Sequence, residues 1–219
     1  MRQGGTDFLL VFQSMYMTHR TALIFIAACA LFAGALGLFG ACSQQEVAFA
    51  SIDVTGAEYA KDFSLPDHNG EMRHLKDFSG KVVVMFFGYT QCPDVCPTSM
   101  AELAEVKRLL GKDGDRLQGI FVTVDPARDT PEVLKAYMAA FDPSFLALTT
   151  TPETLAQVAK EYKIYYKKSE GKTDTSYTMD HSAGSYVYDT RGRLRLFTRY
   201  GSGAVPLASD IGILIKQGS

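Results

Sequence analysis

The segment Lys81–Leu110 opens with KVVVMFF, runs through GYTQ to Cys92-Pro-Asp-Val-Cys96-Pro97, and closes with TSMAELAEVKRLL. Its first part is an unbroken apolar run, as expected of a central strand covered on both faces. Its last part repeats apolar residues at helical spacing, with Met100, Leu103, Val106 and Leu110 on one side. Two signals compete for the start of that helix: Ser99 and Glu102 at capping-box spacing, and Pro97, which suits a first turn. Two cysteines thus stand where a buried strand hands over to a helix, whose N-terminal end favours a thiolate. A thiol pair there can hold a metal, exchange disulfides or staple the fold.

Upstream, Phe63 to Leu75 (FSLPDHNGEMRHL) reads as a hairpin turning at Asn69-Gly70. His68 and His74 flank that turn and read as solvent-facing polar residues. Downstream, Leu117 to Val124 (LQGIFVTV) is a second buried strand, ending in Asp125-Pro126. Thr130-Pro-Glu and Thr151-Pro-Glu each set a capping hydroxyl before a proline, the recipe for a helix start. The first of these helices carries Val133, Leu134, Tyr137 and Phe141 on one face, the second Leu155, Val158 and Tyr162. Phe145 to Leu148 is a short strand between them. Lys167 to Ser176 (KKSEGKTDTS) is polar and long for a connection, which marks it as a loop with a job. Met179-Asp180-His181-Ser182 follows. Strands at Ser185 to Tyr188 and Leu194 to Thr198 then flank a turn at Asp189 to Gly192. A last helix from about Pro206 faces Leu207, Ile211, Leu214 and Ile215 inward. Helices between the early strands imply parallel crossovers, and the late strand pair implies an antiparallel edge. The fold class is α/β and thioredoxin-like: a central mixed sheet flanked by helices, with an N-terminal hairpin extension and insertions.

Of the 219 residues, 47% are hydrophobic and 21% charged, which fits a globular chain. The net charge of -2 offers no footprint for nucleic acid. Thr21 to Ala41 (TALIFIAACALFAGALGLFGA) carries no charge and follows His19-Arg20. At ~1.5 Å per residue it is long enough to span a bilayer. It reads as an export segment with three outcomes: lipidation at Cys42 after cleavage, retention as an anchor, or plain cleavage. The residues before it fit no export pattern, and Met17 is the expected start. The expected division is residues 1–42 as signal or membrane anchor, 43–54 as tether, and 55–219 as one monomeric thioredoxin-like domain. All three outcomes place that domain in the cell envelope, on the periplasmic side of the membrane. Cys29 and Cys42 fall in the export segment, so the domain keeps only Cys92 and Cys96. A core of this size needs no staple, and so short a loop gains little closure entropy.

Three residues separate Cys92 from Cys96, against two in thioredoxin-type redox pairs. On a helix they would stand one turn apart on one face. There they can chelate one ion or, with Cα atoms within roughly 7 Å, close a disulfide. A helix N-terminus would lower their pKa values. Topology supplies a third group. In a thioredoxin-type order the loop before the antiparallel strand pair lies against the helix start, and in thioredoxins it carries a proline. Here no proline occurs between Tyr177 and Tyr186, and Asp180-His181 stands there instead. Cys92, Cys96 and His181 would make a soft site that suits Cu(I), with Cu(II) favoured over other divalent ions. A structural zinc site would take a fourth ligand, and none is obvious. Asp180 either orients the imidazole or faces solvent. Asp125, at the carboxyl end of a buried strand, either organises the site or caps the turn from Pro126 to Thr130.

Phe87 to Thr98 (FGYTQCPDVCPT), Val122 to Pro131 (VTVDPARDTP) and Asp180-His-Ser182, in that order, resemble the Sco/SenC family over roughly Asp62 to Leu214. The resemblance implies a membrane-tethered, thioredoxin-like copper protein with Cys92, Cys96 and His181 as ligands. It also implies a role in assembling the dinuclear copper centre of cytochrome c oxidase. Expected partners are the oxidase's copper-centre subunit, other copper chaperones and thiol oxidoreductases. The family commonly has an aromatic residue and a histidine where this chain has Tyr89 and Gln91, so an accessory ligand is missing but none of the three. The polar loop before His181 matches the family's mobile loop in position. Two functions stand side by side. One is a metallochaperone passing copper by ligand exchange. The other is a thiol-disulfide oxidoreductase in which Cys92 and Cys96 are the redox pair that keeps envelope or oxidase cysteines reduced. A peroxiredoxin-like peroxidase would leave the second cysteine and His181 unexplained.

Overall fold

The computed structural model describes residues 48–171 and 176–218. Along them run β1 (Ile52–Asp53), β2 (Leu65–Pro66), β3 (Met72–Arg73), β4 (Val82–Gly88), α1 (Val95–Leu109), β5 (Leu117–Thr123) and α2 (Pro131–Ala139). They continue with β6 (Leu146–Leu148), α3 (Pro152–Glu161), β7 (Tyr166–Ser169), β8 (Thr178–His181), β9 (Gly184–Tyr188), β10 (Leu194–Arg199) and α4 (Ala204–Gln217). The export segment, Cys29, Cys42 and residues 172–175 of the polar loop lie outside the described residues. Among the described residues no helix is long and apolar enough to cross a membrane.

Every residue of β4 and β5 is buried, as the unbroken apolar runs require. They sit inside a six-stranded sheet of order β1-β10-β9-β4-β5-β6. β5 and β6 run parallel to β4, reached through α1 and α2, while β9 is antiparallel to β4 and β10 antiparallel to β9. This is the thioredoxin-like mixed sheet. β4 and β5 pair from Val82 and Leu117 to Gly88 and Thr123, so both strands end level. Their carboxyl ends release GYTQC and VDPARD at one edge of the sheet, beside each other.

The Thr-Pro-Glu starts work as read: Thr130 and Thr151 cap α2 and α3, accepting from the N–H groups of Val133 and Thr154. The inward face of α4 is Leu207, Ile211, Leu214 and Ile215, all buried. Five details differ from the sequence reading. Helix α1 begins at Val95, and the Ser99 hydroxyl donates to the Val95 carbonyl at 2.8 Å rather than capping. Pro97 sits in its first turn, where the missing N–H costs nothing. Val133 is exposed on α2, and Leu134 with Met138 fills the core instead. The end of the expected tether is drawn into the fold: Ile52 pairs with Phe197, and the Ala50 and Ser51 N–H groups donate to the Asp210 carboxylate at 2.9 and 2.8 Å. His68 does not face solvent freely. Its N–H donates to the Ala147 carbonyl and its Nδ1 accepts the Ala147 N–H, at 2.9 and 3.1 Å, so the β2–β3 hairpin covers the open edge of β6. Finally, the polar stretch is no plain loop. β7 and β8 pair antiparallel as a separate ribbon, Tyr166 opposite His181.

Candidate metal centre

Cys92 lies in the turn after β4, and Cys96 is the second residue of α1. They are therefore not two residues of one helix face. The Cys96 N–H, a free donor of the first helical turn, instead points at the Cys92 sulfur at 3.4 Å. Cys96 is fully buried and Cys92 half-buried; the two thiols are unbridged. His181 closes the cluster from β8, its Nε2 3.3 Å from the Cys96 sulfur. The imidazole Nδ1 stands 2.9 Å from the Ser182 carbonyl, to which it donates. That bond fixes the tautomer and leaves the Nε2 lone pair facing the thiols. Phe86 and Tyr89 pack against the ring in T-shaped pairs at 84° and 90°, with centroids 6.0 and 5.9 Å away.

Burial pushes the Cys96 thiol well above its ordinary pKa, and the Cys92 charge adds to the rise. A Tyr89 backbone hydrogen bond opposes it without winning. The helix terminus was expected to lower this thiol; desolvation outweighs it. Burial also lowers the His181 pKa, although the Ser182 carbonyl and the Asp180 charge pull upward. At neutral pH the site therefore offers a neutral imidazole and a protonated buried thiol. The three donor atoms lie within 4.8 Å of one another. Thiolate and imidazole bonds of about 2.0–2.3 Å to a first-row ion set trigonal donors roughly 3.5–4 Å apart. Cys92, Cys96 and His181 can thus close on one soft ion with small side-chain movements.

Asp180 does not orient the imidazole; its exposed carboxylate accepts from the Ser169 hydroxyl at 2.7 Å across the ribbon. Asp125 touches none of the three donors. It accepts the Tyr177 hydroxyl at 2.8 Å and the Arg128 guanidinium, and its carbonyl takes the Arg128 and Asp129 N–H groups that close the turn. It thus both caps the turn and braces the start of β8.

Asp129, Arg128 and Tyr177 escaped the sequence reading. Asp129 is buried and accepts the Thr90 N–H at 3.1 Å, the Thr90 hydroxyl at 2.6 Å and the Thr123 hydroxyl at 2.5 Å. It ties the cysteine turn to the end of β5. Burial raises its pKa against those hydrogen bonds. The signal was the charge density of VDPARDT in an otherwise apolar neighbourhood.

The sequence profile described as SCO1/SenC matches residues 53–216. The chain belongs to the SCO1/SenC family. It is 38% identical over 133 residues to an SCO2-like protein of Rickettsia felis, covering 60% of this chain and 65% of that protein. It is 41% identical over 145 residues to the mitochondrial SCO2 homolog of Bos taurus, covering 65% of this chain and 53% of that protein. The match thus spans less than two thirds of these relatives' length. Among solved structures, copper-bound ScoI of Bradyrhizobium japonicum superposes with a TM-score of 0.64 at 42% identity, covering 70% of this chain and 97% of that one. Apo Sco1 of Thermus thermophilus gives 0.68 at 36%, covering 78% and 99%. The SCO1/SenC fold here carries a two-cysteine, one-histidine cluster of a kind suited to copper.

Proposed function

We propose that this SCO1/SenC protein is a copper metallochaperone. Copper, as cargo, would be held by Cys92, Cys96 and His181 and passed to the dinuclear copper site of cytochrome c oxidase during assembly. The observation that carries the reading is the Nε2 lone pair of His181 set against the Cys96 sulfur by the Ser182 carbonyl. Likeness to the copper-bound Bradyrhizobium structure supports it. The half-buried Cys92 is where an incoming ligand reaches first, so exchange would start there while Cys96 and His181 still hold the ion. We also propose that Thr21 to Ala41 or a lipidated Cys42 ties the domain to the envelope membrane, with residues 43–48 as the leash.

A second reading uses the same thiols as a reductase. The accessible Cys92 sulfur attacks a partner disulfide, expelling one partner thiolate. The Cys96 sulfur then attacks the mixed disulfide, releasing the second thiolate and leaving Cys92 bonded to Cys96. The exposure difference between the two cysteines favours that order. His181→Ala separates the readings. Copper affinity should collapse while disulfide exchange with a partner persists; unchanged copper affinity would sink the three-ligand site.

A further inference from the structure

His181 is delivered by a ribbon that pairs with no strand of the main sheet among the described residues. The two-residue link to β9 restrains one end of β8, and contacts with the cysteine and β5 turns restrain the other. We infer that Arg128 is the positioning residue that locks the ribbon and the cysteine turn together, so that the imidazole meets the thiols. This deepens the copper reading and rests on it.

The Arg128 side chain is mostly buried and reaches three segments at once. Its Nε donates to the Asp125 carboxylate at the end of β5. Its Nη1 donates to the Tyr177 carbonyl at 2.9 Å, four residues before His181, and to the Gln91 side-chain oxygen at 3.1 Å, one residue before Cys92. The guanidinium also lies 3.5 Å over the Tyr177 ring and 5.6 Å over that of Tyr89. Tyr89 in turn packs on His181. Lys168, on the opposite strand of the ribbon, covers Tyr177 at 4.3 Å. The Tyr177 hydroxyl returns to Asp125 at 2.8 Å, closing a ring of Asp125, Arg128 and Tyr177.

Only a planar fork serves this role. Nε binds a carboxylate, Nη1 binds two oxygens on different segments, and the flat face stacks on an aromatic ring, while Nη2 is buried without a hydrogen-bond partner among the described residues. A lysine ammonium gathers its three donors at one point and has no flat face, so Arg128→Lys keeps the charge and loses the geometry. Groups that orient metal ligands from behind typically govern affinity by 10–100-fold. Arg128 acts through the backbone of β8 and through Tyr89, so an effect of about tenfold, at the low end of that range, is expected.

The test uses the full chain in detergent, wild type against Arg128→Lys and Tyr177→Phe. Copper affinity is read by competition with a Cu(I) chelator, and site geometry by the Cu(II) hyperfine and thiolate charge-transfer spectrum. Hydrogen exchange reads residues 176–181, with thermal unfolding as control. Arg128→Lys should bind copper about tenfold more weakly, with a shifted spectrum and faster exchange on β8, beside the modest fall in unfolding temperature that losing buried hydrogen bonds brings. Tyr177→Phe, which loses only the bond to Asp125, should shift the spectrum in the same sense and by less. Unchanged affinity and spectrum in both variants overturn the inference, as does a lower unfolding temperature with an unaltered spectrum. If Arg128→Lys fails to fold, Tyr177→Phe decides alone. A wild-type chain that binds no copper would instead overturn the copper reading itself.

Discussion

The Cys96 sulfur stands 3.3 Å from Nε2 of His181, although 85 positions of sequence separate the two residues. Gly88 makes room for that approach. A Cβ at position 88 would sit 2.7 Å from the Cys96 sulfur and 2.9 Å from the rings of Phe121 and Phe86. All three neighbours are buried, so none can swing away. Gly88→Ala should destabilise the fold by about 1–3 kcal/mol through overpacking. It should also displace the sulfur and weaken copper binding. Denaturant titration and chelator competition read the two effects. A stable variant with full copper affinity would mean that the sulfur is not seated against Gly88.

Asp129 should matter more for stability than any ion pair on the surface. Asp129→Ala leaves the Thr90 N–H and the Thr90 and Thr123 hydroxyls without their acceptor inside the protein. At ~1–3 kcal/mol for a buried group left unsatisfied, and with the Thr123 hydroxyl fully buried but Thr90 only half-buried, a loss of roughly 1–3 kcal/mol is expected. Urea unfolding should show a lower midpoint at an unchanged slope. A loss below about 1 kcal/mol would show that water replaces the carboxylate without cost.

The sheet and the three donors were legible in the sequence for different reasons. β4 and β5 announce themselves by length and unbroken apolarity, and the order of elements then dictates that the carboxyl ends of parallel strands and the segment before β9 converge. His181 was found by that topological argument together with the proline missing from its segment. Arg128 and Asp129 were not found, because their roles depend on which backbone groups two adjacent turns leave unpaired, and periodicity says nothing about that. The ribbon was missed because KKSEGKTDTS is polar on both faces; half of its ladder lies beyond that stretch, where Tyr166 pairs with His181 and the other partners are Asp180, Met179 and Thr178.

Acid should weaken the fold through Asp189. Burial alone would raise its pKa, but the Arg193 guanidinium and the Arg193 and Arg191 N–H groups hold it below the usual carboxylate range. A carboxylate with a depressed folded pKa stabilises fully above its unfolded value of ~3.9 and loses that contribution as pH falls through the folded value. Asp189→Asn should therefore unfold more easily than the wild type at neutral pH, and the gap should close below about pH 4. A gap that stays constant down to acid pH would assign the cost to lost shape rather than lost charge.

Copper loading should release protons and tighten as pH rises. The buried Cys96 thiol keeps its proton at neutral pH because burial raises its pKa, so binding as thiolate must expel that proton. His181 contributes no proton there, since burial already lowers its pKa and holds the ring neutral. Each proton expelled makes affinity grow about tenfold per pH unit below the thiol's own pKa. Chelator competition between about pH 6 and pH 8, under the ordinary thiol value of ~8.5, should show that slope. Calorimetry in two buffers of different ionisation heat should show at least one proton released per ion. His181→Ala should weaken binding at every pH yet leave the Cys96 share of the slope intact. A pH-independent affinity across that range would mean that Cys96 is already a thiolate before the ion arrives, or that it is no ligand at all.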